Sequence, residues 1–118
     1  MKKIWYLSTC DTCTKIIKEL DLENKNFIFI NIKENPISEA DLELIQRCLR
    51  VPYEDLFNKR AQKYTKTNLK AKLKSEEDWK LAILKEYTFM KRPIIQIDSD
   101  FFVGNSKLVI EKVKERLN

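Results

Sequence analysis

The sequence contains no histidine, a single glycine and only three cysteines among its 118 residues. Without histidine there is no Ser-His-Asp or Cys-His nucleophile and no histidine proton shuttle. A structural zinc site built from cysteines alone would need a fourth thiolate, so we expect no metal site. One glycine excludes the glycine-rich loops that bind phosphate groups. No apolar run approaches the roughly 20 residues of a membrane span, so we expect no membrane segment.

Positive charge is in excess and is dispersed along the chain. Lys and Arg number 23 against 18 acidic residues, a net charge of +5. Scattered lysines are typical of a solvated surface, although they also suit an acidic partner. Behind M-K-K the apolar run covers only residues 4–7, too short for a secretory signal, so we expect a cytoplasmic protein. In that compartment, neighbouring cysteines indicate metal or redox chemistry rather than structural disulfides.

Hydrophobic periodicity predicts a βαβ unit at the start of the chain. Residues 2–7 are typical of a strand, and residues 27–32, F-I-F-I-N-I, of a strand covered on both faces in a parallel sheet. Between them lies an amphipathic helix, whose apolar stripe at helical spacing is Cys13, Ile16, Ile17 and Leu20.

Helices are predicted for the middle of the chain. Ser38 begins one of them, and we expect Cys48 to lie in the core on its apolar face with Leu42, Ile45 and Leu49. Ser75 and Asp78 form a capping signature for another helix. The apolar face of that helix is predicted to comprise Trp79, Ile83, Tyr87 and Met90.

The last part of the chain predicts a β-hairpin and a helix. A strand begins at Pro93, a position that strands accept, and D-S-D turns it into F-F-V. Ser106 caps the final helix. The element order predicts an α/β protein with a thioredoxin-like fold, a four-stranded mixed sheet and a helical insertion. We expect one domain over residues 1–118, divided into a βαβ half (1–33), the insertion (34–90) and a ββα half (91–118).

The stretch S-T-C-D-T-C-T-K places two cysteines at the first βα turn. Cys10 lies at the turn itself, where unpaired N–H groups and the positive end of the helix dipole favour a thiolate. Cys13 lies one turn later on the apolar stripe, near enough for a bridge. We interpret Cys10 as a nucleophile and Cys13 as a resolving thiol. Two alternatives stay open: Cys13 fills space beside a lone Cys10, or the motif is a vestige on a binding module.

Three segments follow a known family pattern in order along the chain. They are Y-L-S-T-C-D-T-C-T-K-I-I-K-E-L (6–20), D-L-F-N-K-R-A-Q-K-Y (55–64) and M-K-R-P-I-I-Q-I (90–97), the last followed by V-G. In these segments the chain resembles the arsenate reductase (ArsC) family, which includes the Spx regulators and small ArsC-like proteins with a C-x-x-C motif. The family fold is thioredoxin-like with a helical insertion.

The resemblance implies roles for individual residues. Cys10 matches the nucleophile that attacks an arsenic oxyanion or a disulfide, and Cys13 matches the second cysteine of the Spx-type switch. Arg60 and Arg92 match arginines at the anion site, and a guanidinium fork suits a tetrahedral oxyanion. Pro93 matches a proline that is typically cis, so the resemblance implies a cis Arg92–Pro93 bond.

The chain departs from established arsenate reductases in the segment G-N-S-K at 104–107. They carry a further arginine there, and Lys107 would supply its charge without the planar fork. The resemblance implies a thiol-dependent oxidoreductase acting on a small oxyanion or a thiol or disulfide substrate. It implies no bound cofactor, and an external reductant such as glutathione, glutaredoxin or thioredoxin. The alternative is an Spx-like redox-sensing regulator that binds RNA polymerase through its C-x-x-C switch.

Overall fold

A computed structural model describes residues 1–118 and contains one four-stranded mixed sheet. Strand β1 pairs in parallel with β2 and antiparallel with β3, and β3 pairs antiparallel with β4. The strand order is therefore β2-β1-β3-β4. The strands are β1 (Lys2–Tyr6), β2 (Ile28–Asn31), β3 (Ile94–Ile97) and β4 (Asp100–Val103). The predicted thioredoxin-like arrangement and the C-terminal hairpin are confirmed.

Five α-helices and four short 3₁₀ segments connect and flank these strands. The helices are α1 (Asp11–Glu19), α2 (Glu39–Leu49), α3 (Gln62–Thr65), α4 (Glu76–Lys85) and α5 (Lys107–Leu117). The 3₁₀ segments are Leu22–Asn24, Tyr53–Leu56, Asn68–Ala71 and Tyr87–Phe89. None of the helices combines the length and the apolar character that crossing a membrane requires.

The chain divides into two compact units. The sheet unit comprises Met1–Asn35 and Arg92–Asn118, and the helical unit comprises Pro36–Lys91. In the sheet unit, Ile4, Ile95 and Ile97 pack with the apolar stripes of α1 and α5. Full burial of such side chains contributes about 1.5–3 kcal/mol each, so this core holds α1 against the sheet.

Strand β2 was predicted to be covered on both faces, and the structure differs from that prediction. It is parallel to β1 as expected, but it is an edge strand, and Ile28 remains 49% exposed. The apolar run F-I-F-I-N-I is typical of a strand inside a parallel sheet. Because the pairing order is set by tertiary contacts, the run alone could not place β2 at the edge.

The helical unit is built around an aromatic cluster. Phe57 is 1% exposed, and its ring centroid lies 5.1 Å from Tyr64, 5.0 Å from Trp79 and 4.9 Å from Phe89. Helix α4 begins with a complete capping box, in which Ser75 and Asp78 each accept a backbone N–H of the other.

Helix α4 ends earlier than predicted, at Lys85. Glu86 adopts an extended conformation, and its carboxylate accepts hydrogen bonds from both the backbone N–H and the hydroxyl of Thr88. This local bonding starts the 3₁₀ turn Tyr87–Phe89 and competes with helix continuation. Met90 is buried, although it lies outside the helix.

Cys48 is exposed, and the prediction that it lies in the core is wrong. At about 100° per residue, Ile45 and Leu49 fall within about 60° of Leu42 around α2, whereas Cys48 falls about 120° away. Leu42 and Ile45 are fully buried, so the buried stripe is narrower than the predicted one.

Candidate functional site

The turn between β1 and α1 fixes the position of Cys10. Its backbone N–H donates to the Leu7 carbonyl at 3.0 Å, and its own carbonyl accepts the Thr14 N–H at 3.2 Å. Cys10 is thus the N-cap residue of α1, half-buried, with an extended backbone. The sulfur consequently lies beside the unpaired N–H groups of the first helical turn.

Three neighbouring groups lower the pKa of the Cys10 thiol. Partial burial raises it, but the backbone N–H and side chain of Cys13 and the guanidinium of Arg92 outweigh that effect. Arg92 acts both by its charge and by a hydrogen bond to the sulfur. The resulting pKa lies below the ordinary cysteine value, which increases the thiolate fraction at neutral pH.

Cys13 behaves in the opposite way. It is 0% exposed, and burial raises the pKa of its thiol to about 12. The negative charge of Cys10 and a hydrogen bond from the Cys13 thiol to that sulfur contribute to the rise. The two thiols are therefore in contact, and their pKa values are shifted in opposite directions, with Cys13 as hydrogen-bond donor and Cys10 as acceptor.

Arg92 and Pro93 lie directly before β3, next to β1 in the sheet. The Arg92–Pro93 peptide bond is cis, which confirms that prediction. Pro93 is buried, and its carbonyl accepts the N–H of Gly104 at 2.9 Å. Gly104 has a φ of +95°, a conformation that L side chains rarely adopt, so this connection depends on the single glycine of the chain.

Ser8 and Asn31 form a clamp that the sequence did not indicate as part of the site. The Asn31 amide donates to the Ser8 hydroxyl at 2.9 Å, and its carbonyl oxygen accepts the backbone N–H of Ser8 at 3.4 Å. The same oxygen accepts the Lys33 N–H at 3.4 Å. The clamp joins the end of β2 to the loop that carries Cys10. The one available signal is a polar residue within the apolar run F-I-F-I-N-I.

Arg60 and Lys107 are both exposed. Arg60 lies in the helical unit, where its backbone N–H donates to the Asn58 side chain at 3.1 Å. The backbone N–H of Asn58 donates to the Phe89 carbonyl at 2.6 Å, so Asn58 holds the turn that carries Arg60. Lys107 begins α5 in the sheet unit, directly after the N-cap Ser106. The structure thus brings Cys10, Cys13 and Arg92 into contact, and the roles predicted for Arg60 and Lys107 stay predictions.

The acidic and cysteine side chains form no metal centre. No group of three or more Cys, Asp or Glu residues is arranged to hold a metal ion. The groups in contact at the β1–α1 turn are a thiol of lowered pKa, a neighbouring thiol and a guanidinium. Such a set can attack an electrophilic sulfur or arsenic atom and then form a disulfide.

Known proteins with this fold extend over almost the whole chain. An arsenate reductase from Vibrio cholerae has a TM-score of 0.78 and 16% identity, covering 97% of this chain and 95% of that one. An arsenate reductase-related protein from Brucella melitensis (TM-score 0.68, 21% identity) covers 94% and 92%. A Staphylococcus aureus protein (TM-score 0.78, 24% identity) covers 95% and 97%.

Sequence comparison gives the family. None of the curated proteins matches the chain. The family model of ArsC, however, matches residues 5–113, which include the cysteine pair, Arg60, Arg92 and Lys107. The match covers most of the sheet unit and the whole helical unit, and the chain belongs to the ArsC family.

Proposed function

We propose that the chain is a cytoplasmic thiol-dependent oxidoreductase that reduces a disulfide or a small oxyanion through Cys10. One observation carries this proposal: two thiols in contact have pKa values shifted in opposite directions, with Arg92 beside the more acidic one. Perturbed groups of this kind are typical of functional sites. The ArsC family and its arsenate reductase-like fold support the same chemistry.

The first step is nucleophilic attack by the Cys10 thiolate. On a disulfide, a bond forms between Cys10 and one substrate sulfur, and the other sulfur leaves as a thiolate with the bonding electron pair. On an arsenic(V) oxyanion, the sulfur binds arsenic and an oxygen leaves as water after protonation. Arg92 stabilises the anion in both cases, because a guanidinium binds sulfur and oxygen anions through charge-assisted hydrogen bonds.

The second step uses Cys13 or an external thiol such as glutathione. Once Cys10 is bound to substrate it no longer carries a negative charge, so one cause of the raised Cys13 pKa is removed. Cys13 then loses its proton and attacks the Cys10 sulfur, and the substrate leaves with two additional electrons. A disulfide between Cys10 and Cys13 results, and a thiol reductant of the glutaredoxin or thioredoxin type returns both to thiols.

Arg60 and Lys107 complete the proposal as additional cationic groups for an anionic substrate. The planar fork of Arg60 would bind two oxygens at once, whereas Lys107 would act as a point charge. Substituting each of the two residues by glutamine tests whether its charge contacts the substrate or whether the residue only positions other groups. We expect a rise in KM for an anionic substrate and little change for an uncharged disulfide.

The test compares wild type with Cys10→Ser and Cys13→Ser. Arsenate turnover and disulfide reduction are measured with glutathione and with a thioredoxin system as reductant. Cys10→Ser should abolish both activities, and Cys13→Ser should lose turnover with the thioredoxin system but keep turnover with glutathione, which resolves the Cys10 adduct in place of Cys13. Full activity of Cys10→Ser contradicts the proposal. Inactivity of wild type, combined with oxidation-dependent binding to RNA polymerase, would instead identify a redox-sensing regulator.

A further inference from the structure

An open groove lies on the sheet unit beside the loop that carries Cys10. Its cavity volume is about 860 Å³, within the size range of ligand-binding clefts. Three aromatic side chains line it: Tyr6, Phe27 and Phe29. The rings of Tyr6 and Phe29 meet edge to face at 5.9 Å and are both half-buried, so part of this aromatic surface faces solvent.

One end of the groove lies beside the turn that carries Cys10. Ser8 and Thr14 line that end. Ser8 precedes Cys10 by two residues, and the Thr14 backbone N–H donates to the Cys10 carbonyl at 3.2 Å. A molecule lying in the groove is therefore in contact with the turn that presents the Cys10 sulfur.

The surroundings of the groove are cationic. Lys15 and Lys18 line it from the exposed side of α1, and Glu23 is the one acidic side chain among the lining residues. Lys2 places its ammonium 5.9 Å from the centroid of the Phe27 ring. This arrangement favours an occupant with negative charge and with aromatic or other apolar groups.

Phe29 lines the groove from strand β2, which lies at the edge of the sheet. Edge strands present backbone groups that pair with extended peptides, and side chains of the peptide then enter neighbouring pockets. Phe27 and Phe29 alternate along this part of the chain, so both face the same side of the sheet. The shape of the site therefore suits an extended peptide chain.

We propose that the groove binds the acidic, extended segment that flanks the reactive cysteine of a protein disulfide partner. The inference rests on the proposed function, because it assigns the partner of the Cys10 thiol. Lys15 and Lys18 bind acidic side chains of that segment, and the aromatic floor binds an apolar one. Binding in the groove directs the partner's sulfur to Cys10 at the Ser8–Thr14 end.

The experiment uses peptides whose single cysteine is carried as a mixed disulfide with thionitrobenzoate. The Cys10 thiolate attacks the peptide sulfur, the Cys10–peptide disulfide forms, and thionitrobenzoate leaves as a coloured thiolate with the electron pair. One peptide has Glu and Phe beside the cysteine, and a second has Lys and Phe. The mixed disulfide of mercaptoethanol with thionitrobenzoate is the reference, because it has the same leaving group and lacks the charged peptide. All proteins carry Cys48→Ser, which removes the exposed competing thiol.

The decisive variant is Lys15→Glu/Lys18→Glu, and its matched control is Lys70→Glu/Lys72→Glu. The control changes the net charge equally at two exposed residues that do not line the groove. Wild type and control should react about tenfold faster with the acidic peptide than with the basic one at low salt, as expected for favourable charge pairing at an interface. The decisive variant should lose this preference when each peptide rate is divided by its own rate with the mercaptoethanol reference.

Two results overturn the inference. Equal rates with acidic and basic peptides show that the groove does not select charge. An equal loss of preference in both charge-reversed proteins assigns the effect to net charge rather than to the groove. Failure of the proposed function looks different, because the mercaptoethanol reference would then react no faster with wild type than with Cys10→Ser.

Discussion

The three cysteines should differ in reactivity by amounts that follow from their surroundings. With a pKa of about 12, about one Cys13 molecule in 10⁵ is a thiolate at pH 7, against about 3% for a free cysteine. The stronger nucleophilicity of a high-pKa thiolate offsets about 25- to 60-fold of this difference. Cys13 should therefore be alkylated about 100-fold more slowly than a free thiol, even before its burial is considered. Cys10 should be the first to react, because its pKa is lowered.

The assay is pulsed alkylation with iodoacetamide at pH 7, followed by proteolysis and mass spectrometry of the cysteine peptides. Exposed Cys48 is an internal reference in the same molecule. Unfolding in guanidinium chloride should bring the three rates together, which controls for local sequence effects. As pH rises, Cys10 labelling should reach its plateau at a lower pH than a free cysteine does, since a lowered pKa moves the thiolate transition downward.

Cys10→Ser tests the cause of the Cys13 shift. Removing the Cys10 charge and the hydrogen bond to its sulfur should lower the Cys13 pKa and accelerate its labelling. Cys13 should still react more slowly than Cys48, because its burial remains. Labelling of native Cys13 at the Cys48 rate refutes the raised pKa. An unchanged Cys13 rate in Cys10→Ser refutes the coupling on which the second reaction step depends.

Three further predictions concern the groups around the site and the core of the helical unit. Arg92→Gln should slow Cys10 alkylation at pH 7 about fivefold. This corresponds to the loss of about 1 kcal/mol from a charge-assisted hydrogen bond that solvent screens at a partly exposed sulfur. Arg92→Lys should restore part of the rate. Asn31→Ala should reduce the free energy of unfolding by about 1–2 kcal/mol in urea titrations and slow Cys10 labelling, since it releases the Ser8 loop. Phe57→Ala should lower the free energy of unfolding by about 3–5 kcal/mol. The same urea titrations measure this loss when they are monitored by the fluorescence of the adjacent Trp79. A loss below about 1 kcal/mol would show that the aromatic cluster is loosely packed.

Local signals in the sequence predicted local structure well. Ser38, Ser75 and Ser106 were each expected to begin a helix, and each accepts a backbone N–H from the residue three positions later. A cap depends on neighbouring residues alone, so its geometry can be read from a short window. The placement of Cys10 at the start of α1 follows from the same kind of information.

Features that depend on distant residues were predicted less well. Cys48 and β2 were assigned from apolar patterns, but the width of a buried stripe and the order of strands are set by what packs against them. The clamp between Ser8 and Asn31 joins residues 23 positions apart and has no motif of its own. The resemblance implied a role for Arg92 at an anion site, which stays a prediction, and only the fold shows that its guanidinium reaches the Cys10 sulfur.

The opposite shifts of the two thiols have a consequence for the order of events. Spacing alone makes Cys10 and Cys13 neighbours, and it leaves open which of them attacks first. The surroundings in the fold favour Cys10, because it receives the Cys13 N–H and the Arg92 charge while Cys13 is buried. A negative charge on the Cys10 sulfur raises the pKa of Cys13, and a covalent bond to that sulfur removes this cause of the rise. In the proposed mechanism, a pair coupled in this way forms its disulfide after substrate has bound to Cys10, so Cys13 of the free protein is protected from oxidation.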